Sequence, residues 1–203
     1  MLTPAALSAD EASRYHTLLQ THSGTEVALR AIRPDDKYQM LDIYPTLSPR
    51  TLYMRFFRVI DAPSLEDIAR YTTVDFALQL AFVVTLGPEQ RMVAAGRLIR
   101  ATAQSKVAEL SCLVVDDCQN RGIGSVLVSE LFKTGHRWGV DQVIALVHSE
   151  NHPMLRLLKN QGYPCEMLYD EGEFTVTLDI SQEPTQANSV SYQTSIGAMH
   201  QVV

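Results

Sequence analysis

The chain has 203 residues, 46% of them hydrophobic and 20% charged, with a formal net charge of −6 at pH 7. That length suits one domain with tails and is enough to bury a core without a metal or disulfide staple. The acidic balance weighs against a nucleic-acid partner, which normally presents phosphates to a basic face.

Residues 1–13 start without a basic segment or a long apolar stretch, so no signal peptide is expected. Later apolar runs are short and interrupted, so no membrane span is expected and the location is expected to be cytoplasmic. Residues 1–14 read as a flexible N-terminal arm, residues 15–180 as the folded domain and residues 181–203 as a polar C-terminal tail. Cys112, Cys118 and Cys165 form no CxxC and have no histidine at zinc-finger spacing, which predicts reduced thiols and no metal site.

Taken in chain order, Tyr15 to Gln20 and Val27 to Ile32 read as two strands around a turn at His22-Ser23-Gly24-Thr25. Pro34-Asp35-Asp36 opens a helix, with carboxylates suited to the positive end of its dipole. Ser48-Pro49 is a second helix start, leading Arg50 to Phe57. Ser64-Leu65-Glu66-Asp67 is a third, a capping box with aspartate in the usual glutamate place. The period then changes: Leu78 to Leu86, Met92 to Thr102 and Val107 to Val115 are three runs of strand character with hairpin loops between them, which predicts an antiparallel meander. Beyond Gly122 the stripe Ile123, Leu127 and Leu131 is helical, with Gly139 as terminator. A short strand from Val143 to Val147, a helix from Asn151 to Gly162, and a final hairpin of Cys165 to Tyr169 with Phe174 to Ile180 complete the reading. If the strand before Gly122 pairs in parallel with the one after its helix, the class is α/β with a mixed sheet.

The segment from Asp116 to Gly124 links a strand to a helix. Gly122 and Gly124 let the backbone approach a ligand where the free N–H groups and the helix dipole converge, an arrangement that holds phosphate or pyrophosphate. Arg121 and Ser125 stand by as extra donors. Leu127 occupies the third glycine position of a dinucleotide fingerprint, and the GK[ST] of a P-loop is absent.

Gln119-x-x-Gly122-x-Gly124 resembles the Q/R-x-x-G-x-G/A signature of the GNAT acetyltransferases. Asn151, Leu157 and Gly162-Tyr163 are similar to a second pattern of that family near its acetyl-CoA site. Leu29 to Asp36 and Leu47 to Phe57 resemble segments of Pat-type protein lysine acetyltransferases, with Ala31, Asp35 and Arg50-Thr51 as departures. The resemblance covers most of residues 15–180. It implies a GNAT fold, with a mixed, mostly antiparallel central sheet and helices on both faces. It also implies an N-acetyltransferase that uses acetyl-CoA as donor. By that resemblance Cys112, Leu113, Val114, Gln119, Asn120, Arg121, Gly122, Ile123, Gly124, Ser125 and Asn151 would bind the donor. A backbone N–H near Val114 would hold the oxyanion.

Alternation along the strand puts Val107, Glu109, Ser111 and Leu113 on one face. A carboxylate in an otherwise apolar strand is the expected general base, and Ala108-Glu109-Leu110 resembles the Ala-Glu-Phe of Pat-type enzymes. Many GNAT enzymes place a tyrosine acid where this chain has Leu158, so the acid stays open between Ser111 and Tyr163, with His148 and Glu150 as backup bases. Asn151 also reads as an N-cap, Cys118 lacks a paired base, and Trp138 with Phe56-Phe57 read as core. The acceptor expected is an amine, either a protein lysine or a small molecule. A non-catalytic acyl-CoA-binding module is the remaining alternative.

Overall fold

In the computed structural model, which describes residues 6–58, 62–185 and 190–194, the chain enters through a short helix, α1 (Ala9–Ser13). Ser8 closes it with a capping box in which the Glu11 N–H donates to the Ser8 hydroxyl and the Ser8 N–H to the Glu11 carboxylate. Ala12 is fully buried, and the Leu7 N–H donates to the Arg137 carbonyl at 2.7 Å. The arm expected to be flexible is therefore anchored from Leu7 onward. Its small residues hid this, because an alanine needs only a close surface to be buried against. Residues 1–5 lie outside the described residues.

β1 (His16–Gln20) and β2 (Glu26–Ala31) form the expected antiparallel hairpin. Three helices follow: α2 (Asp36–Ile43), α3 (Pro49–Phe56) and α4 (Leu65–Thr72). The predicted starts of the last two are present. Ser48 accepts from the Thr51 N–H ahead of Pro49, and Ser64 forms a capping box with Asp67. Asp36 stands in the first turn of α2, as predicted, and has a second role there. It is buried and takes a bidentate pair of bonds from Arg30 at 2.8 and 2.7 Å, plus the Arg33 N–H, so it clamps β2 to the helix start.

β3 (Gln79–Leu86), β4 (Arg91–Ile99) and β5 (Val107–Val114) are the meander. Helix α5 (Ile123–Arg137) then crosses to β6 (Gln142–His148), which pairs in parallel with β5. Helix α6 (His152–Lys159) and the hairpin β7 (Cys165–Asp170) with β8 (Glu173–Asp179) follow. The strand order is β1-β2-β3-β4-β5-β6-β8-β7, with β9 (Val190–Thr194) on the outer side of β7. β5/β6 and β7/β9 are parallel and every other pair is antiparallel. The tail is thus a strand over 190–194, while 186–189 and 195–203 lie outside the described residues.

The core sits between α5 and the meander. Ile123, Leu127, Val128, Leu131 and Phe132 of α5 are essentially fully buried, as are Phe82, Leu80 and Leu98 of the sheet. Each such side chain contributes about 1.5–3 kcal/mol of transfer free energy. Gly96 sets the approach distance: a Cβ there would lie 3.0 Å from Leu131 Cδ1, 3.1 Å from Leu127 Cδ2 and 3.2 Å from Cys112 Cβ. Cys112 therefore shares the α5 face, and Ser111 projects to the other, where α3 meets it through Arg55. Helices occupy both faces.

Candidate active site

β5 and β6 pair only at Val107↔Gln142, Ala108↔Val143 and Glu109↔Ile144, although the strands run on to Val114 and His148. Beyond Glu109 they splay. A cavity of about 1220 Å³ fills the opening, lined on one side by Glu109 to Val114 and on the other by Ile144 to Val147. The Val115 N–H donates to the Val93 carbonyl, so by alternation the N–H groups of Leu110, Cys112 and Val114 face away from β4, into the splay. An extended polar chain laid between the strands would meet these groups in place of the missing ladder.

The Gln119–Gly124 loop closes one end. Asn120 (φ 58°) and Gly122 (φ 80°) turn the backbone through the left-handed region, so that α5 begins at Ile123 and aims its first N–H groups at the cavity end. Gly122, Gly124 and Ser125 line the cavity, and a Cβ on Gly124 would press on Leu157 at 2.9 Å. Helix geometry leaves those N–H groups without intrahelical acceptors, and the dipole adds positive potential, which fits a pyrophosphate.

The loop is held from below by α3. Asp116 accepts from the Ser48 N–H (3.0 Å), the Ser48 hydroxyl (2.7 Å) and the Thr51 hydroxyl (2.9 Å). Burial works against its charge, but these bonds outweigh it and keep the carboxyl below the usual aspartate range. Gln119 Nε2 donates to the Val114 carbonyl (3.1 Å) and the Thr51 hydroxyl (3.2 Å), so the side chain of the signature glutamine braces the loop. From above, the β1–β2 turn lies on it: Ser23 Oγ donates to the Arg121 carbonyl at 3.0 Å, and His22 covers Gly122.

Of the residues expected from sequence, Glu109, Cys112, Leu113, Val114, Gln119, Asn120, Gly122, Gly124, Ser125 and Asn151 line the cavity. Two side chains do not. Ile123 is buried in the core, and Arg121 turns its guanidinium to Cys118 Sγ at 3.8 Å. Asn151 caps α6 by accepting from the Met154 N–H, and the Ser125 hydroxyl accepts from Gln161. Glu109 is exposed on the cleft lip. His148 accepts from the Glu150 N–H and packs against Tyr53 and Phe57, while Glu150 lines the cavity. Leu158 is fully buried, and Tyr163 is buried against Phe132, where burial pushes its phenol up. Burial likewise pushes the Cys112 thiol up to about 11, against the opposing pull of Arg55, so it stays protonated.

Phe56 and Phe57, expected in the core, are half-buried and line the cavity instead. Sequence reasoning also missed His22, Ser48, Thr51 and Arg55, all cavity-lining residues from distant elements. The histidine in the first predicted turn was visible as a residue, but nothing local tied it to Gly122.

Residues 48–163 match the Acetyltransferase (GNAT) family. The chain is 30% identical over 144 residues to the acetyltransferase Pat of Mycolicibacterium smegmatis, a match covering 71% of this chain and 43% of that protein. It is 25% identical over 150 residues to an acetyltransferase of Pseudomonas aeruginosa, covering 73% of this chain and 80% of that one. Among solved structures, the GNAT domain of S. lividans PAT superposes with a TM-score of 0.74 at 26% identity, over 81% of this chain and 96% of that domain. A cAMP-binding acyltransferase from Mycobacterium smegmatis superposes with a TM-score of 0.59 at 26% identity, over 86% of this chain and 50% of that protein. The chain therefore spans about half or less of the two mycobacterial relatives. With a splayed parallel strand pair, a glycine loop at a helix start and a match over residues 48–163, this chain belongs to the GNAT acetyltransferase family.

Proposed function

We propose that the enzyme transfers the acetyl group of acetyl-CoA directly to the side-chain amine of a protein lysine, with Glu109 as general base. The observation that carries this reading is the position of Glu109, at the point where β5 and β6 part and on the lip of the same cleft that ends at the Gly122–Ser125 helix start. In this reading the N–H groups at the start of α5 hold the pyrophosphate, and the pantetheine arm lies along the splay. The thioester then comes to rest near Ser111.

The base answers a specific barrier. A lysine amine with a pKa of about 10.4 is overwhelmingly protonated at neutral pH, and freeing it costs roughly 4–5 kcal/mol. Glu109 takes that proton directly or through a water molecule. The C–N bond forms as the C–S bond breaks, and the inward N–H groups of Cys112 and Val114 stabilise the oxyanion. The leaving thiolate, from a thiol of pKa about 8.5, needs little assistance. Ser111 and Arg55, bonded to each other, are polar groups at that end of the cleft.

A cationic acceptor suits the approach. Asp170, Glu171 and Glu173 line a smaller cavity that shares Leu146 and Thr175 with the main cleft. The Pat relative of Mycolicibacterium smegmatis is an acetyltransferase, which supports acetyl transfer as the reaction. Incubation with acetyl-CoA and cell lysate, read by mass spectrometry of modified lysines, tests the proposal. Thioester turnover with small amines and no lysine modified in any protein would overturn the assignment of the acceptor.

A further inference from the structure

The face of the cleft opposite α5 carries an imbalance of charge that acetyl transfer does not use. Arg55, in the last turn of α3, lines the cavity and donates from Nη2 to Ser111 Oγ at 2.6 Å, with Tyr71 Oη at 3.4 Å from the same nitrogen. Behind it, Arg97 of β4 is only 5% exposed. Its nitrogens donate to Gln79 Oε1 and the Tyr71 carbonyl, and its guanidinium stacks 3.3 Å from the Tyr71 ring centroid. Among the described residues no carboxylate comes within ion-pair distance of either guanidinium.

Buried or half-buried charge is normally paired, because its desolvation is otherwise uncompensated. Two guanidiniums sharing one tyrosine leave local positive potential with neutral acceptors only. Their influence reaches Tyr71: burial opposes ionisation of its phenol, yet Arg97 and Arg55 outweigh it and hold the group below the ordinary tyrosine range.

The location is specific. Ser111 stands two residues from Glu109 on the same face of β5, roughly 6.6 Å along the strand. An anion held at Arg55 therefore sits within a short carbon chain of the acyl-transfer centre.

We propose that Arg55, backed by Arg97, receives a carboxylate carried a short carbon chain from the acyl-transfer centre, on either a short dicarboxylic acyl-CoA or an amino-acid acceptor. Among the described residues only Nη2 of Arg55 is engaged by hydrogen bonds, so Nε and Nη1 of the planar guanidinium can donate to such a group. The acidic lining at Asp170, Glu171 and Glu173 lies on the acceptor's approach and disfavours an anionic acceptor, which points to the donor as the source. The bond changes are those of acyl transfer: C–N forms, C–S breaks, and coenzyme A leaves as thiol with the proton removed from the amine. The inference rests on reading the cleft as an acyl-CoA site.

The test compares acetyl-CoA with succinyl-CoA on one lysine acceptor, and lysine amide with free amino acids on acetyl-CoA, in the wild type, Arg55→Ala and Arg55→Lys. The expected result is that kcat/KM for the carboxylated substrate, relative to its neutral counterpart, falls about 10- to 100-fold in Arg55→Ala and recovers in part in Arg55→Lys. A ratio that moves only in the donor comparison places the carboxylate on the acyl group. A ratio that moves only in the acceptor comparison places it on the amine substrate. Ratios unchanged in both comparisons, with acetyl-CoA binding intact by calorimetry, would overturn the role of Arg55. Absence of any acyl-CoA binding by the wild type would instead remove the cleft reading, and the proposal with it.

Discussion

Replacing Gly122 with alanine tests the loop at its tightest point. Gly122 holds φ at 80°, a left-handed conformation that costs an L-residue roughly 1–2 kcal/mol. A Cβ there would also lie 2.6 Å from His22 Nδ1, 2.7 Å from His22 Cε1 and 3.1 Å from Thr21 Cβ, so the turn above must shift. The His22 ring is exposed and can swing away, which limits the steric part, but Ser23 is bonded to the Arg121 carbonyl and resists movement of the turn. The summed destabilisation is about 1–3 kcal/mol, a fall of roughly 0.5–1.5 M in the urea midpoint at a typical slope. The sole tryptophan, Trp138, is buried and reports the transition by fluorescence. Acetyl-CoA affinity should fall about 10-fold in parallel, because the N–H groups after Gly122 are no longer held in place. His22→Ala and the double variant separate the causes. In the His22→Ala background the ring contribution vanishes and the backbone cost remains. A Gly122→Ala protein of wild-type midpoint and affinity would refute the reasoning.

Glu109→Gln should lower kcat/KM about 10²- to 10⁴-fold near pH 7 while calorimetric acetyl-CoA affinity holds, and the deficit should shrink toward pH 10 as the acceptor amine loses its proton unaided. Unchanged turnover removes Glu109 from the mechanism. Asp116→Asn should cost about 1–2 kcal/mol through loss of charged acceptance from Ser48 and Thr51. Because the folded carboxyl lies below its unfolded value of about 3.9, that stability is fully present above pH 4 and is lost as pH falls through the lowered folded pKa. Denaturation midpoints of wild type and variant should therefore converge in acid, and a gap that widens there contradicts the sign. Gly96→Ala should destabilise by roughly 1–3 kcal/mol, because its methyl meets Leu131, Leu127 and Cys112 within a packed layer; a neutral thermal unfolding result would mean that α5 can lift off β4 freely.

The elements legible in the sequence were those whose signals are local. Ser48-Pro49 and Ser64 with Asp67 marked helix starts because capping chemistry lies within four residues. The meander showed as three runs of strand character separated by short loops, and the Gln119–Gly124 segment showed as glycines at a strand-to-helix change. What stayed hidden depends on contacts across the chain. Nothing near β6 says that its pairing with β5 ends at Glu109↔Ile144, or that β8 rather than β7 lies beside it. Asp36 was legible as a first-turn carboxylate, but its pair with Arg30 was not, because Arg30 is on a different element. Phe56 and Phe57 looked like core because hydrophobicity does not distinguish a packed interior from an apolar cleft wall. Ile123 lies within the Gln119–Gly124 signature, yet its side chain belongs to the core.

Helix α3 connects the two halves of the candidate site. Its N-terminus is fixed to the glycine loop through Ser48, Thr51, Asp116 and Gln119, and its last turn carries Arg55 to Ser111. The eight residues of α3 span roughly 12 Å between these two anchor points. The bonds at Asp116 thus fix more than the loop: they set the position along the cleft at which the guanidinium meets β5. A shift of α3 by a fraction of a turn would misplace Arg55 while leaving the glycine loop able to take a pyrophosphate. If the proposed roles hold, donor binding and acyl selectivity are separable properties of one helix, the first governed at its start and the second at its end.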